Sequence, residues 1–213
     1  MKVVFFGDSI TDASRNREWQ DKPNWVYAFG MGYVNAVVSE LVSRGVDKYV
    51  AINSGIGGER VVDLYARVKK DCWNYQPDVV SILIGVNDVW QEVNYKNGVE
   101  LDRFENVYRM LIKDTLKALP NVKIMILEPF IQKGVSTERN YEKHLATLEY
   151  AKVVKKLAEE FNLPFVPLQA PLDKYAEKYG EDKVLADGLH PTMFGARIIA
   201  NEWLKVFDEQ VDK

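Results

Sequence analysis

The residues able to do chemistry stand in four short stretches: GDS at 7–9, NSGIGGER at 53–60, GVNDVW at 85–90 and DGLHP at 187–191. The first presents the Ser9 hydroxyl behind Gly7 and Asp8. A glycine there lets the chain turn tightly, and the next helical turn can aim amide N–H groups at a ligand. Asp and Ser before a helix also serve simply as caps. The second stretch has three glycines within four positions, so its main chain can come close to a bound molecule. A free N–H at Gly58 could donate to a developing oxyanion, and the plain alternative is a flexible connection. In the third, Asn87 carries a side-chain amide that can donate, while Asn-Asp after a strand also makes an Asx turn. In the fourth, His190 follows Asp187 by three residues across Gly188. A carboxylate bound to one ring nitrogen fixes the tautomer and leaves the other nitrogen as a base. The other histidine, His144, sits in a charged helical stretch with no acid–glycine context and reads as a solvated or packing residue. Taken together, Ser9, His190, Asp187 and the donors Gly58 and Asn87 supply every part of an acyl-transfer site.

Such a site requires one scaffold edge to gather all four stretches. Short apolar runs at 2–6, 49–53, 79–85, 122–128 and 164–168 are rich in β-branched residues, as expected of strands covered on both faces. Amphipathic segments at 32–44, 60–73, 101–118, 141–161 and 192–208 lie between or after them. In the fourth of these, Leu145, Leu148, Val153, Leu157 and Phe161 form an apolar stripe suited to a helix lying on a sheet. Pro191-Thr192 makes an entry to the last. The alternation predicts right-handed crossovers and a parallel sheet of about five strands between helical layers. Functional groups then collect beyond the carboxyl ends of the strands, where the first three stretches fall.

The chain has 213 residues, 47% of them hydrophobic, which predicts a single domain over 1–213. The net charge of −3 and mixed charge pattern argue against a nucleic-acid or membrane-surface partner. No apolar run is long enough to span a bilayer, and MKVVFFGD lacks a signal-peptide core, so the sequence as written reads as cytoplasmic. The lone Cys72 excludes an internal disulfide and a cysteine-based zinc cluster, and reads as a small packed residue.

With those residues in view, the chain resembles the SGNH hydrolases, also called the GDSL esterase family. GDSIT, NSGIGGE, GVND and DGLHP match the four sequence blocks of that family in order, with Ile in place of the usual Leu in the first. The resemblance implies a flavodoxin-like three-layer α/β/α fold. It also implies Ser9 as nucleophile, Gly58 and Asn87 as oxyanion donors beside the Ser9 N–H, and His190 as base oriented by Asp187. Gly57 is the neighbouring alternative in the second block, and Gly58 is preferred because it directly precedes the polar Glu59. No metal or cofactor is implied.

GYVNAVV at 32–38, VDLYAR at 62–67, IGVNDVW at 84–90 and EPF at 128–130 are further similar to carbohydrate acetylesterases of the xylan type. This implies hydrolysis of small acyl, above all acetyl, esters of sugars such as acetylated xylan or xylo-oligosaccharides. The alternative within the family is a broad acyl esterase, thioesterase or lysophospholipase. Trp19, Trp25, Trp90, Tyr95 and Phe104 could stack on sugar rings or pack in the core, and exposed aromatics of the 89–104 loop could equally face a homo-oligomer partner. A reading from another class, a flavodoxin-like binding or signalling domain, needs a phosphate-gripping loop or an acid cluster after strand one. The chain offers only Asp8 there, with Asp12 farther on.

Overall fold

The structure, a computed structural model, describes residues 1–20, 22 and 25–212. Five strands form one parallel sheet: β1 (Lys2–Gly7), β2 (Val50–Gly55), β3 (Val79–Leu83), β4 (Lys123–Leu127) and β5 (Phe165–Val166), in the order β2-β1-β3-β4-β5. The helices in chain order are α1 (Ser9–Asp12), α2 (Tyr33–Ser43), α3 (Val61–Asp71), α4 (Val86–Tyr95), α5 (Leu101–Ala118), α6 (Tyr141–His144), α7 (Thr147–Phe161), α8 (Gln169–Tyr179), α9 (Glu181–Val184) and α10 (Met193–Gln210).

The two-residue period of the strands builds both cores. On β1, Val3 and Phe5 face α2 and α10, while Val4 and Phe6 face α3 and α5. β3 and β4 divide in the same way: Val79, Leu83, Met125 and Leu127 go to the first core, and Val80, Ile82, Ile124 and Ile126 to the second. Strands buried on both faces between helices make the expected three-layer α/β/α architecture. The strand order reverses at β1, so a crevice opens beyond the carboxyl ends of β1 and β3.

Several segments depart from the sequence expectation. The segment between the strand expected at 79–85 and the helix expected at 101–118 forms helix α4: Gly85 (φ 135°) turns the chain out of β3 and Lys96 (φ 56°) stops the helix in the left-handed region. The predicted helix over 141–161 breaks at 145–146 into α6 and α7, and His144 is fully buried between them. The last strand shrinks to two residues between Pro164 and Pro167, which supply no N–H to a ladder. Helix α8 goes unpredicted. Its first turn is capped by Glu128, whose Oε2 accepts the N–H groups of Leu168 (2.6 Å) and Gln169 (2.9 Å). Phe104 packs fully buried against Tyr108 and Tyr150 and is core, not a sugar contact. Cys72 is a buried free thiol, as expected of a packed residue. No helix among the described residues is long and apolar enough to cross a membrane.

Trp203 of α10 joins helix to sheet. It is fully buried, stacks on Phe207 at 4.7 Å, lies 5.4 Å from Phe5, and donates its indole N–H to Ser81 Oγ at 2.9 Å. Trp203→Ala should therefore lower the unfolding free energy by about 3–5 kcal/mol, read from urea denaturation midpoints.

Candidate active site

Ser9 is the first residue of α1, immediately beyond β1. Asp8 caps that helix, its Oδ1 accepting the Ile10 N–H at 2.9 Å. The capping role and the presentation of Ser9 are thus the same piece of structure. Ser9 Oγ lies 2.9 Å from His190 Nε2, although the two residues are 181 positions apart. His190 Nδ1 lies 2.8 Å from Asp187 Oδ2.

The Asp187 carboxylate is held from several sides. Its Oδ1 accepts the backbone N–H groups of Leu189 (2.9 Å) and His190 (2.8 Å). Its Oδ2 also accepts the Ser136 hydroxyl at 3.1 Å. Burial works to raise the Asp187 pKa, but the donors from the His190 ring and the two backbone amides outweigh it and hold the group below the usual carboxylate range. His190 responds in the opposite sense. The bond to Asp187 lifts the imidazole above its ordinary value, against the effect of burial.

Asp8 is a contrasting acid. It is fully buried, its Oδ2 has no hydrogen-bond partner among the described residues, and burial pushes the carboxyl up to about 7 against the Ile10 N–H and the charge of His190. Asp88, whose carboxylate accepts the Val61 N–H, is likewise raised by burial.

The loops after β2 and β3 flank the serine. A methyl group built on Gly57 would sit 3.7 Å from Ser9 Cβ, so this loop packs directly against it. The Gly57 N–H is committed to Asp12 Oδ2 at 3.2 Å. The Gly58 N–H makes no hydrogen bond among the described residues. Gly58 has φ 81° and nothing within 4 Å of a built Cβ, so backbone conformation rather than space asks for glycine there. Asn87, buried at the start of α4, spends one amide hydrogen on Glu59 O at 3.0 Å and keeps a second. Gln91 fastens the Gly58 carbonyl. Arg67 anchors the loop from beneath: it pairs with Glu59 at 2.6 Å, reaches Gly7 O at 3.3 Å, and lies over the Phe6 ring at 4.4 Å. Among the described residues, no group of three or more His, Cys, Asp or Glu side chains could hold a metal ion.

Of the five site residues singled out from sequence, Ser9, His190 and Asp187 form a continuous hydrogen-bonded chain, while Gly58 belongs to, and Asn87 is bonded to, the loop whose Gly57 packs against Ser9. Sequence reasoning did not find Ser136 or the segment that carries it. Gly134 packs so tightly on the Asp187–Gly188 turn that a built Cβ would come within 2.3 Å of the Asp187 carbonyl carbon. Gln132 N–H binds Gly188 O (3.0 Å), Ser136 N–H binds Asp187 O (3.0 Å), and Trp90 Nε1 donates to Ser136 O (2.9 Å). The only local sign in GVSTER is its glycine, which by itself says nothing about what it touches.

A hydroxyl bonded to an imidazole, itself bonded to an ionised carboxylate, can pass its proton to the ring as it attacks an electrophile. The chain belongs to the GDSL-like lipase/acylhydrolase family, whose profile matches residues 5–198. It is a carboxylic ester hydrolase of that family. It is 35% identical over 210 residues to the acetylxylan esterase of Geobacillus stearothermophilus, covering 96% of this chain and 92% of that protein. It is 25% identical over 223 residues to the isoamyl acetate-hydrolyzing esterase of Saccharomyces cerevisiae, covering 97% and 86%. Its structure superposes with a TM-score of 0.91 on a GDSL-like lipase from Parabacteroides merdae, at 34% identity over 97% of this chain and 95% of that one.

The site geometry fixes the direction of two titration shifts. Followed by NMR, the His190 imidazole should titrate above the ordinary value of about 6.5. Asp187→Asn removes the facing charge and should bring that midpoint down. Ser136→Ala removes a competing donor from Oδ2, leaves the carboxylate a stronger acceptor for the ring, and should move the midpoint further up.

Proposed function

We propose that the protein is a serine esterase that removes acetyl groups from carbohydrate esters, with Ser9 as nucleophile, His190 as general base and Asp187 as its orienting acid. The observation that carries the reading is the unbroken Ser9–His190–Asp187 chain, with contacts of 2.9 and 2.8 Å. As Ser9 Oγ attacks the ester carbonyl, its proton passes to His190 Nε2, and Asp187 stabilises the imidazolium that forms. Negative charge grows on the carbonyl oxygen and meets the N–H groups of Ser9 and Gly58 and the Asn87 amide. The uncommitted Gly58 N–H supports Gly58 over Gly57 as the donor, because Gly57 is already bound to Asp12. His190 then gives its proton to the leaving alcohol. Water attacks the acyl-enzyme with His190 again as base, releasing the acid and restoring Ser9.

The acetyl assignment is supported by what two relatives' names share: one concerns acetylated xylan, the other isoamyl acetate, so the acyl group is common while the alcohols differ. A carbohydrate as the alcohol is supported by the nearer relative.

Ser9→Ala should reduce hydrolysis of 4-nitrophenyl acetate to near background. Asn87→Ala should keep a residual rate about 100- to 1,000-fold below the parent, the usual loss for one oxyanion donor. An active Ser9→Ala variant would sink the mechanism. Along a series of 4-nitrophenyl esters, kcat/KM should fall steeply beyond propionate, and a flat profile to octanoate would favour the broad acyl esterase. Because the neutral imidazole is the base and its pKa is raised, kcat/KM should climb with pH through a midpoint above about 6.5.

A further inference from the structure

On that reading, the alcohol leaving from Ser9 must lie beside His190, away from the oxyanion donors. The crevice has a matching shape. A cavity of about 430 Å³ is lined by Ser9, His190 and Pro191 but not by Gly58 or Asn87. It shares Ser14, Met31 and Gly32 with a second cavity of about 680 Å³, which runs between α2 and α10. At the junction, Ala13 (φ 44°) and Ser14 (φ 60°) are consecutive non-glycine residues in the left-handed region, a backbone arrangement that gathers at functional sites.

We infer that this second cavity is the subsite for the alcohol half of the substrate, and that it takes an oligosaccharide rather than an alkyl chain or a second protein copy. Its walls are two facing pairs one helical turn apart: Asn35 and Ser39 on α2, Met193 and Arg197 on α10, with Ala36 and Ala196 opening space between them. Tyr27 flanks them, its ring set 6.1 Å from Trp19 and 6.3 Å from Trp25, which are themselves stacked at 5.0 Å. Three of the polar groups are uncommitted. Tyr27 Oη and Ser39 Oγ make no hydrogen bond and Arg197 no ion pair among the described residues. These groups are exposed and hydrated; an alkyl chain lying over them would displace water without replacing its hydrogen bonds, whereas the hydroxyls of linked sugar rings would pair with them. The rings' C–H faces would meet Tyr27 and Met31. A groove continuous with the serine, mostly apolar in its lining with exposed hydroxyl and guanidinium groups from Tyr27, Ser39 and Arg197, suits a chain of several sugar rings, whose C–H faces and hydroxyls match both, carrying its ester at one end of the groove.

The assignment rests on the esterase reading, and one substrate pair separates the two. For the parent enzyme, Arg197→Ala, Tyr27→Ala and the groove-filling Ser39→Trp, kcat/KM is measured on acetylated xylotriose and on 4-nitrophenyl acetate, whose small alcohol ends inside the first cavity. The ratio of the two should fall about tenfold in each variant. A ratio within twofold of the parent in all three overturns the groove assignment alone. So does light scattering that shows a parent oligomer dissociating in these variants while the ratio holds, since the surface then serves a second copy. Failure of the parent to turn over 4-nitrophenyl acetate overturns the esterase reading and the groove with it.

Discussion

An ionised carboxylate pinned beside a half-exposed imidazole is the interaction on which the rest of the site depends. Left alone, a partly buried aspartate resists ionisation. Asp187 overcomes this with donors from the His190 ring, the Ser136 hydroxyl and two successive backbone amides. The amides come from the turn itself and the hydroxyl from the 132–137 segment, which is laid over the turn by Gly134 and tied down by Trp90. This fixed negative charge keeps one ring nitrogen occupied and turns the other toward Ser9.

The neighbouring acids illustrate the same competition with the opposite result. Asp8 and Asp88 are more deeply buried than Asp187 and receive fewer donors, so desolvation prevails and both are biased toward the neutral form. Ser9 thus has carboxyls of unequal charge near it: Asp187, held anionic on the far side of the imidazole, and the adjacent Asp8, whose ionisation burial suppresses. Burial biases Asp8 toward the neutral form, while its Oδ1 still caps α1.

Much of this was legible in the chain. Apolar runs on both strand faces announced a covered parallel sheet, and the glycine-punctuated stretches after β1, β2 and β3 fell at the crevice that strand order 2-1-3-4-5 creates. Asp187 and His190 were readable because their contact is local, three residues across a turn. Ser136 was not, because its value lies in a contact 51 positions away and nothing in GVSTER encodes the partner. Arg67 was hidden similarly: on a helix its charge reads as surface, whereas it reaches Glu59 and Gly7 across the sheet's edge. Helix α4 was masked by polar residues whose work is done on loops around it, and α8 by a cap supplied from Glu128, some forty residues earlier.

Asp187 and His190 share one short turn, and the same carboxylate that meets the ring also binds the backbone N–H of the residue bearing that ring. Carboxylate and imidazole therefore travel as a unit. Thermal displacement of the turn leaves their mutual alignment intact and changes mainly the gap to the serine. The fold has reduced a three-body registration problem to two bodies, so on the proposed mechanism loss of function on warming would begin as a widening of that single gap, with the sheet still whole.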